Sequence, residues 1–414
     1  MNESLLKKYV EITGEEVIGH LYQLSAFLRG AKVVHVNSTR EGGGVAEILQ
    51  KLVPLQRELG IASSWEVIAG NDDFYRCTKG FHNALQGRQV PISRGLLDAY
   101  EETNRETSER LASTLEEADF VFIHDPQPAP LLGLCEKRRG RWIWRCHINI
   151  SHPFHGVWKY LRDYLSGYDA SIFSMAEFSR QLPHPQYIIP PSIDPLSEKN
   201  IELGEREVAA SRDSFNIDPV RPMMLQVSRF DSFKDPIGVI NAYALAKNFA
   251  PNLQLVLAGG EATDDPEGSA VLAEVQEVAE KDDDIFVLLL PPDAHRTVNA
   301  LQRTADIVLQ KSIKEGFGLT VTEALWKGKP VIGGNTGGIR LQIFNHHTGF
   351  LVNTPEGAAL RTRYLLHHQD KRREMGSKAR EFVRENFLIT RLLREHLTLM
   401  VGMLHGAKDR ITLS

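Results

Sequence analysis

The sequence predicts an α/β protein made of two Rossmann-like domains, and three observations carry that prediction. Short β-branched runs alternate with helical patterns almost from the start, the mark of parallel α/β layers. At 414 residues the chain is too long for one ordinary core, so two domains of roughly 200 residues each are expected. Between about 194 and 220 the text becomes DPLSEKNIELGEREVAASRDSFNIDPVRP, charged and punctuated by proline, which suits a linker with a helix in it.

The elements follow in order. AKVVHVNST (31–39) reads as a buried strand, and the triple glycine of EGGGVAEILQKLVPLQRELG leads into a helix ending at Gly60. SSWEVIAG (63–70) and, after a long polar helix, FVFIHD (120–125) are the next strands. RWIWRCHI (141–148), ASIFS (170–174) and QYIIPPS (186–192) complete the first series. A second series runs MMLQVSR (223–229), LQLVLAGG (253–260), IFVLLL (285–290), DIVLQKS (306–312), PVIGG (330–334) and GFLVN (349–353). The stretch 355–404 is helical, and REFVRENFLITRLLREHLTLMVGML carries more apolar residues at helical spacing than one domain's end requires. The expected division is a first domain over 1–215, a second over 216–385, and a tail over 386–414 that packs back on the first. Two facing domains of this kind leave a cleft between the carboxyl ends of their sheets, the expected ligand site.

Composition narrows the function. A net charge of −5 with no long basic run gives no footprint for nucleic acid. The N-terminus MNESLLKKYVEITGEEVIGH lacks the apolar core of a signal peptide, and no later window reads as a membrane span. Cys77, Cys135 and Cys146 form no CxxC pair and read as reduced thiols, so the expected compartment is the cytoplasm. His147, His152 and His155 follow H-x4-H-x2-H, which fits no common zinc pattern, and no metal site is expected. The N-terminal segment before the first strand is a candidate contact between two copies.

Chemistry is expected at strand ends. EGFGLTVTE (315–323) follows DIVLQKS and opens a helix that Gly328 is suited to end. Gly318, Leu319 and Thr320 would offer free backbone N–H groups at the helix start, a ready anion site. Thr320 and Thr322 are candidate caps, and Glu323, read as first-turn, suits the macrodipole. Glu315 lies outside the helix beside a glycine that permits close backbone approach. In VSRFDSFKDP, Arg229 and Lys234 pair a forked guanidinium with a point-charge ammonium, which suits a diphosphate. Gly42, Gly43 and Gly44 lie between the first strand and its helix. They do not complete the dinucleotide fingerprint, because Glu47 stands where a third glycine belongs, which counts against an NAD-linked dehydrogenase.

The set R-x4-K, E-G-F-G-L-T-x-x-E and a glycine loop after the first strand resembles the retaining nucleotide-sugar glycosyltransferases of the GT-B fold. Within that group, VNSTREGGGVAEIL, FHNALQG, HDPQP, WRCHI, PPSIDPLSEKN and EALWKGKPVIG look like the trehalose glycosyltransferring synthases. The resemblance runs from residue 36 to beyond 330. It implies a glucosyltransferase that retains the α configuration and joins a nucleoside-diphosphate glucose to glucose as α,α-trehalose, reversibly. Glu323 would hold the ribose hydroxyls and Glu315 hydroxyls of the transferred glucose. Arg229 and Lys234 would neutralise the diphosphate, with help from the N–H groups of Leu319, Thr320 and the 42–44 loop. His147 matches the family histidine near the donor sugar, and His124, Asp125 and Gln127 would face the acceptor. No cofactor is implied, the nucleotide sugar being a substrate, and dependence on Mg2+ is left open. The rival readings are a trehalose phosphorylase, a transferase with another acceptor, and a non-catalytic sugar or nucleotide sensor.

Overall fold

The computed structural model describes residues 4–41, 43–260 and 266–406. It divides into two compact units. The first takes the chain up to Ser192 and again from Ile389, and the second is Ile193–Leu388.

The first unit holds a parallel sheet of β1 (Lys32–Asn37), β2 (Ala62–Val67), β3 (Phe120–His124), β4 (Arg141–Arg145), β5 (Ala170–Phe173) and β6 (Gln186–Ile188), in the order β2-β1-β3-β4-β5-β6. Register follows from pairs such as Val36 opposite Ile123 and His124 opposite Arg145. All five residues of β3 are buried, which is why FVFIH reads as a continuous run and not as an alternation. Phe120, Phe122, Trp142, Trp144 and Phe173 are fully buried and fill this core. The helix Ile389–Leu404 buries Leu392, Leu393, Leu397 and Met400 and packs on the helices Glu15–Ala26 and Gly44–Glu58. Just before its first turn is complete, Arg391 donates to the carbonyls of Pro190 (2.9 Å) and Pro191 (2.7 Å).

The second unit repeats the plan with β7 (Met223–Val227), β8 (Gln254–Gly259), β9 (Ile285–Leu289), β10 (Ile307–Gln310), β11 (Val331–Gly334) and β12 (Gly349–Val352), ordered β12-β11-β10-β7-β8-β9. Met224, Leu255, Leu257, Ile307, Leu309, Ile332 and Phe350 form its core with Tyr243 and Val275 from covering helices. The chain enters this unit at residue 193, not near 215. Side-chain donors hold the segment there: Asn299 to the carbonyls of Glu198 (2.8 Å) and Ile201 (2.9 Å), and Arg303 to that of Ile201 (2.8 Å). Composition marks the segment as a linker, but these bonds fix it to one unit.

In each sheet the strand order reverses once, between β1 and β3 and between β7 and β10. Loops leaving the carboxyl ends of strands at such a reversal diverge and leave a crevice for ligand. Four loops are therefore singled out by topology alone: those after β1, β3, β7 and β10.

Candidate active site

At the second reversal, the loops after β7 and β10 are tied together by backbone and side chain. The Ile313 N–H donates to the Phe233 carbonyl (2.8 Å), and Gln226 donates to the Lys234 carbonyl (2.8 Å). Lys234 ends a short 3-10 turn, Ser232–Lys234, capped by Asp231, whose carboxylate accepts from Phe233 N–H at 2.7 Å. Asp235 follows with φ 52°, in the left-handed region, and caps the next helix by accepting from Gly238 N–H at 3.1 Å. Asp235 is also ion-paired with Lys311. The loop is thus fixed at both ends.

Glu315 is buried and its Oε2 takes the Lys234 ammonium at 2.6 Å and the Ser312 hydroxyl at 3.2 Å. The two residues that the sequence assigns to different parts of a ligand are therefore an ion pair. Arg229 is different: its side chain is 58% exposed, with Asp231 no nearer than 3.9 Å. It remains available to an anion from outside.

Gly318, at φ 84°, is the N-cap of the helix Leu319–Trp326, a conformation that costs a residue with a Cβ about 1 kcal/mol or more. No side chain caps this helix, contrary to the expectation for Thr320 and Thr322. Thr322 instead points inward and donates to Gln342 Oε1 at 2.6 Å. Glu323 is the fifth helical residue, beyond the first turn, and is buried. The macrodipole therefore gives no account of it, because the effect fades within one turn. The N–H groups of Leu319 and Thr320 remain at the helix start, where an anion can take them.

Sequence reasoning missed the residues that hold this loop. Gln342 is fully buried and donates to the Phe317 carbonyl at 2.6 Å and the Gly338 carbonyl at 3.2 Å. A Cβ at Gly338 would lie 2.5 Å from Phe317 Cα, so only glycine lets the loop seat there. Two glycines in NTGGIR were the available signal.

At the first reversal, Gly43 caps the helix Gly44–Glu58 with φ 83°, while Gly42 lies outside the described residues. His124 closes β3 and Asp125 follows at φ 64°, an uncommon conformation for a residue with a side chain. Its Oδ1 accepts from the His147 backbone N–H at 2.7 Å, which locks the end of β3 to the end of β4. Burial pushes the Asp125 carboxyl up to about 7, against the lowering effects of the His147 N–H and of Arg145. Gln127 gives its carbonyl to Asn104 (3.1 Å), and its side-chain Oε1 is buried without a partner among the described residues.

His124 does not sit where the sequence suggests. It is 3% exposed, and both ring nitrogens are engaged, by His35 at 3.1 Å and His147 at 3.0 Å. No ring atom is left for an acceptor, so it stands behind His147 instead. His147, the more exposed of the pair, keeps its Nδ1 free of protein partners among the described residues. Burial, with Arg145 and His396 nearby, holds the His147 ring well below the ordinary histidine range. Among the described residues no three His, Cys, Asp or Glu side chains gather as a metal site. No helix among them is long and apolar enough to cross a membrane.

Comparison with known proteins gives the family and the fold. Residues 35–180 match the family model "Trehalose synthase, N-terminal domain", and residues 207–382 match "Glycosyl transferases group 1". The trehalose synthase of Thermococcus litoralis is 46% identical over 95% of this chain and 96% of its own length. The chain belongs to the trehalose synthase family. As a member of that family it is a glycosyltransferase. A more distant relative, the trehalose phosphorylase of Pleurotus pulmonarius, is 30% identical over 86% of this chain but only 55% of its own length. Among solved structures, the sucrose-phosphate synthase of Thermosynechococcus elongatus matches with a TM-score of 0.70 at 16% identity, covering 91% of this chain and 100% of that one. The trehalose synthase family member therefore has the GT-B fold, its two six-stranded parallel sheets included.

Proposed function

We propose that the protein is a retaining glucosyltransferase that forms α,α-trehalose from a nucleoside-diphosphate glucose and glucose, in either direction. The observation that supports this most is the grouping at the second reversal. Arg229, Lys234, Glu315 and the helix start at Leu319 all lie on the two loops that topology singles out. In this reading Arg229, Lys234 and the N–H groups of Leu319 and Thr320 take the diphosphate. Glu323 takes the ribose, Glu315 and His147 the glucose being transferred, and Asp125 with Gln127 the acceptor sugar. The glycines at 42–44 lend backbone N–H groups on the donor side.

The C1–O bond to the leaving phosphate breaks as negative charge grows on the diphosphate, so fixed cations there favour the transition state over the ground state. The acceptor hydroxyl attacks C1 from the same face, and its proton passes to the departing phosphate oxygen. Glu315, already paired with Lys234, orients the sugar without bonding to it. A glycosyl adduct trapped on Glu315 would overturn that step. No resident cofactor enters this scheme.

The likeness to a trehalose phosphorylase favours a second reading, in which inorganic phosphate replaces the nucleotide. One end-point assay separates the two. The enzyme is incubated with UDP-, ADP- or GDP-glucose plus glucose, and in parallel with trehalose plus phosphate. Nucleotide release with a non-reducing disaccharide is the expected outcome. Glucose 1-phosphate from the second incubation alone would transfer the assignment to the phosphorylase.

A further inference from the structure

Behind His147 a single line of hydrogen bonds runs into the first unit. His147 Nε2 lies 3.0 Å from His124 Nδ1, and His124 Nε2 lies 3.1 Å from His35 Nδ1. His35 Nε2 lies 3.2 Å from Gln56 Oε1, which also accepts from the Ser63 hydroxyl at 2.7 Å. His35 and Gln56 are fully buried, and His124 is nearly so. These residues come from β1, β2, β3, the loop after β4, and the helix Gly44–Glu58.

A neutral imidazole has one N–H and one lone pair, so each link dictates the next. The amide oxygen of Gln56 only accepts, so His35 presents Nε2–H to it and keeps a bare Nδ1. His124 must then donate from Nε2 and keep a bare Nδ1 of its own. His147 in turn donates from Nε2, and its Nδ1 is left as a lone pair with no hydrogen-bond partner among the described residues. A second proton on His35 or His124 would set two N–H groups against each other, whereas on His147 it would sit on Nδ1, where burial and the nearby Arg145 and His396 oppose it. Burial holds His35 at about 4, and burial with the neighbouring histidines holds His124 and His147 well below the ordinary range. Arg145 and His396 face the cluster from β4 and from the helix Ile389–Leu404, and both oppose added positive charge. Turning the Gln56 amide over would reverse every donor in the line, so its polarity is a property of the whole.

We propose that Gln56, His35 and His124 are positioning residues that hold His147 as the neutral Nε2–H tautomer, so that its Nδ1 accepts a hydroxyl hydrogen of the donor sugar. This rests on the reading of His147 as a sugar contact. It makes His147 an acceptor at the sugar, with no proton to give.

Selective 15N-histidine labelling of the full-length protein, read by long-range proton–nitrogen correlation, tests it. The His147 signals are assigned by their loss in His147→Asn. The wild type is expected to give the neutral Nε2–H pattern. Gln56→Met removes the anchoring acceptor and is expected to give mixed tautomers at His147, with kcat for trehalose formation down on the order of tenfold to hundredfold and KM for glucose little changed. Gln56→Glu, whose carboxylate also only accepts, is expected to restore the Nε2–H pattern and most of kcat. His124→Gln supplies a second break in the line should a Gln56 variant fail to fold. An Nδ1–H pattern in the wild type overturns the proposal. So does an unchanged tautomer and kcat in both folded chain-breaking variants. If the wild type makes no trehalose, the reading of the reaction fails, and the tautomer spectrum alone still decides the chain.

Discussion

Arg229 and Lys234 read alike in the sequence, but their surroundings make different predictions of them. Arg229 is mostly exposed and has only a distant carboxylate, so Arg229→Ala removes charge without disturbing packing. Its kcat/KM is expected to fall by about 3–4 kcal/mol of transition-state stabilisation, the scale of a lost oxyanion donor, with the melting temperature unchanged. A loss below tenfold would sink its assignment to the diphosphate. Lys234→Ala should cost activity on the same scale and stability as well, because it strands the buried carboxylate of Glu315. The double variant Lys234→Ala with Glu315→Gln should recover the melting temperature of the wild type and none of its activity. Thermal melts beside steady-state kinetics check both statements. The ion pair itself is not legible in the sequence, since 81 residues separate its members.

Among the elements, the strands are the most legible part, and the helix after EGFG is the least. Each of the twelve expected strands forms, within a few residues at either end; the central ones stand out from their helices because buried parallel strands are apolar on both faces, while the edge strands β2, β6 and β9 are only partly buried. The helix start misleads because both threonines are local cap candidates, while the winning arrangement is a positive-φ glycine and a glutamine from further along the chain. Gln342 binds two carbonyls and a hydroxyl at once, a staple that no local pattern announces. Gly338→Ala would drive a methyl group into the backbone at Phe317 and shift the loop carrying Glu315 and Gly318. Overpacking of this kind costs about 1–3 kcal/mol. The expected outcome is a raised KM for the nucleotide sugar with KM for glucose little changed. Equal effects on both substrates would show that the loop does not serve the donor alone.

Across the molecule, each unit's sheet reverses strand order once; Gly43, Asp125, Arg229, Lys234 and Glu315 fall on the loops at those reversals, while His147 follows β4 and Glu323 lies within a helix. The lines of contact behind the loops, such as the histidine chain, escape sequence reading because they join separate strands and helices of one sheet. They have a consequence for stability as a whole. His35, His124, His147 and His396 all have pKa values lowered by burial, His35 to about 4. Once unfolded they would take up protons near the ordinary value of 6.5, so below that pH the unfolded chain binds more protons and stability falls as pH falls. Asp125 opposes this. Its raised value, about 7, keeps a proton in the folded state that the unfolded chain has lost above about 4, so its contribution falls as pH rises through that window. Four histidines outweigh one aspartate, and stability is expected to drop between pH 6.5 and 5. His396 allows this to be isolated, because its ring stacks on Phe122 at 5.1 Å and its Nδ1 is buried without a hydrogen bond among the described residues. His396→Phe keeps the stacking and removes one titrating group. Its urea midpoint should exceed that of the wild type by more at pH 5.5 than at pH 8, the slope differing by up to about 1.4 kcal/mol per pH unit for one proton. Parallel pH profiles for the two proteins would mean that His396 titrates alike folded and unfolded, and that burial does not set its charge.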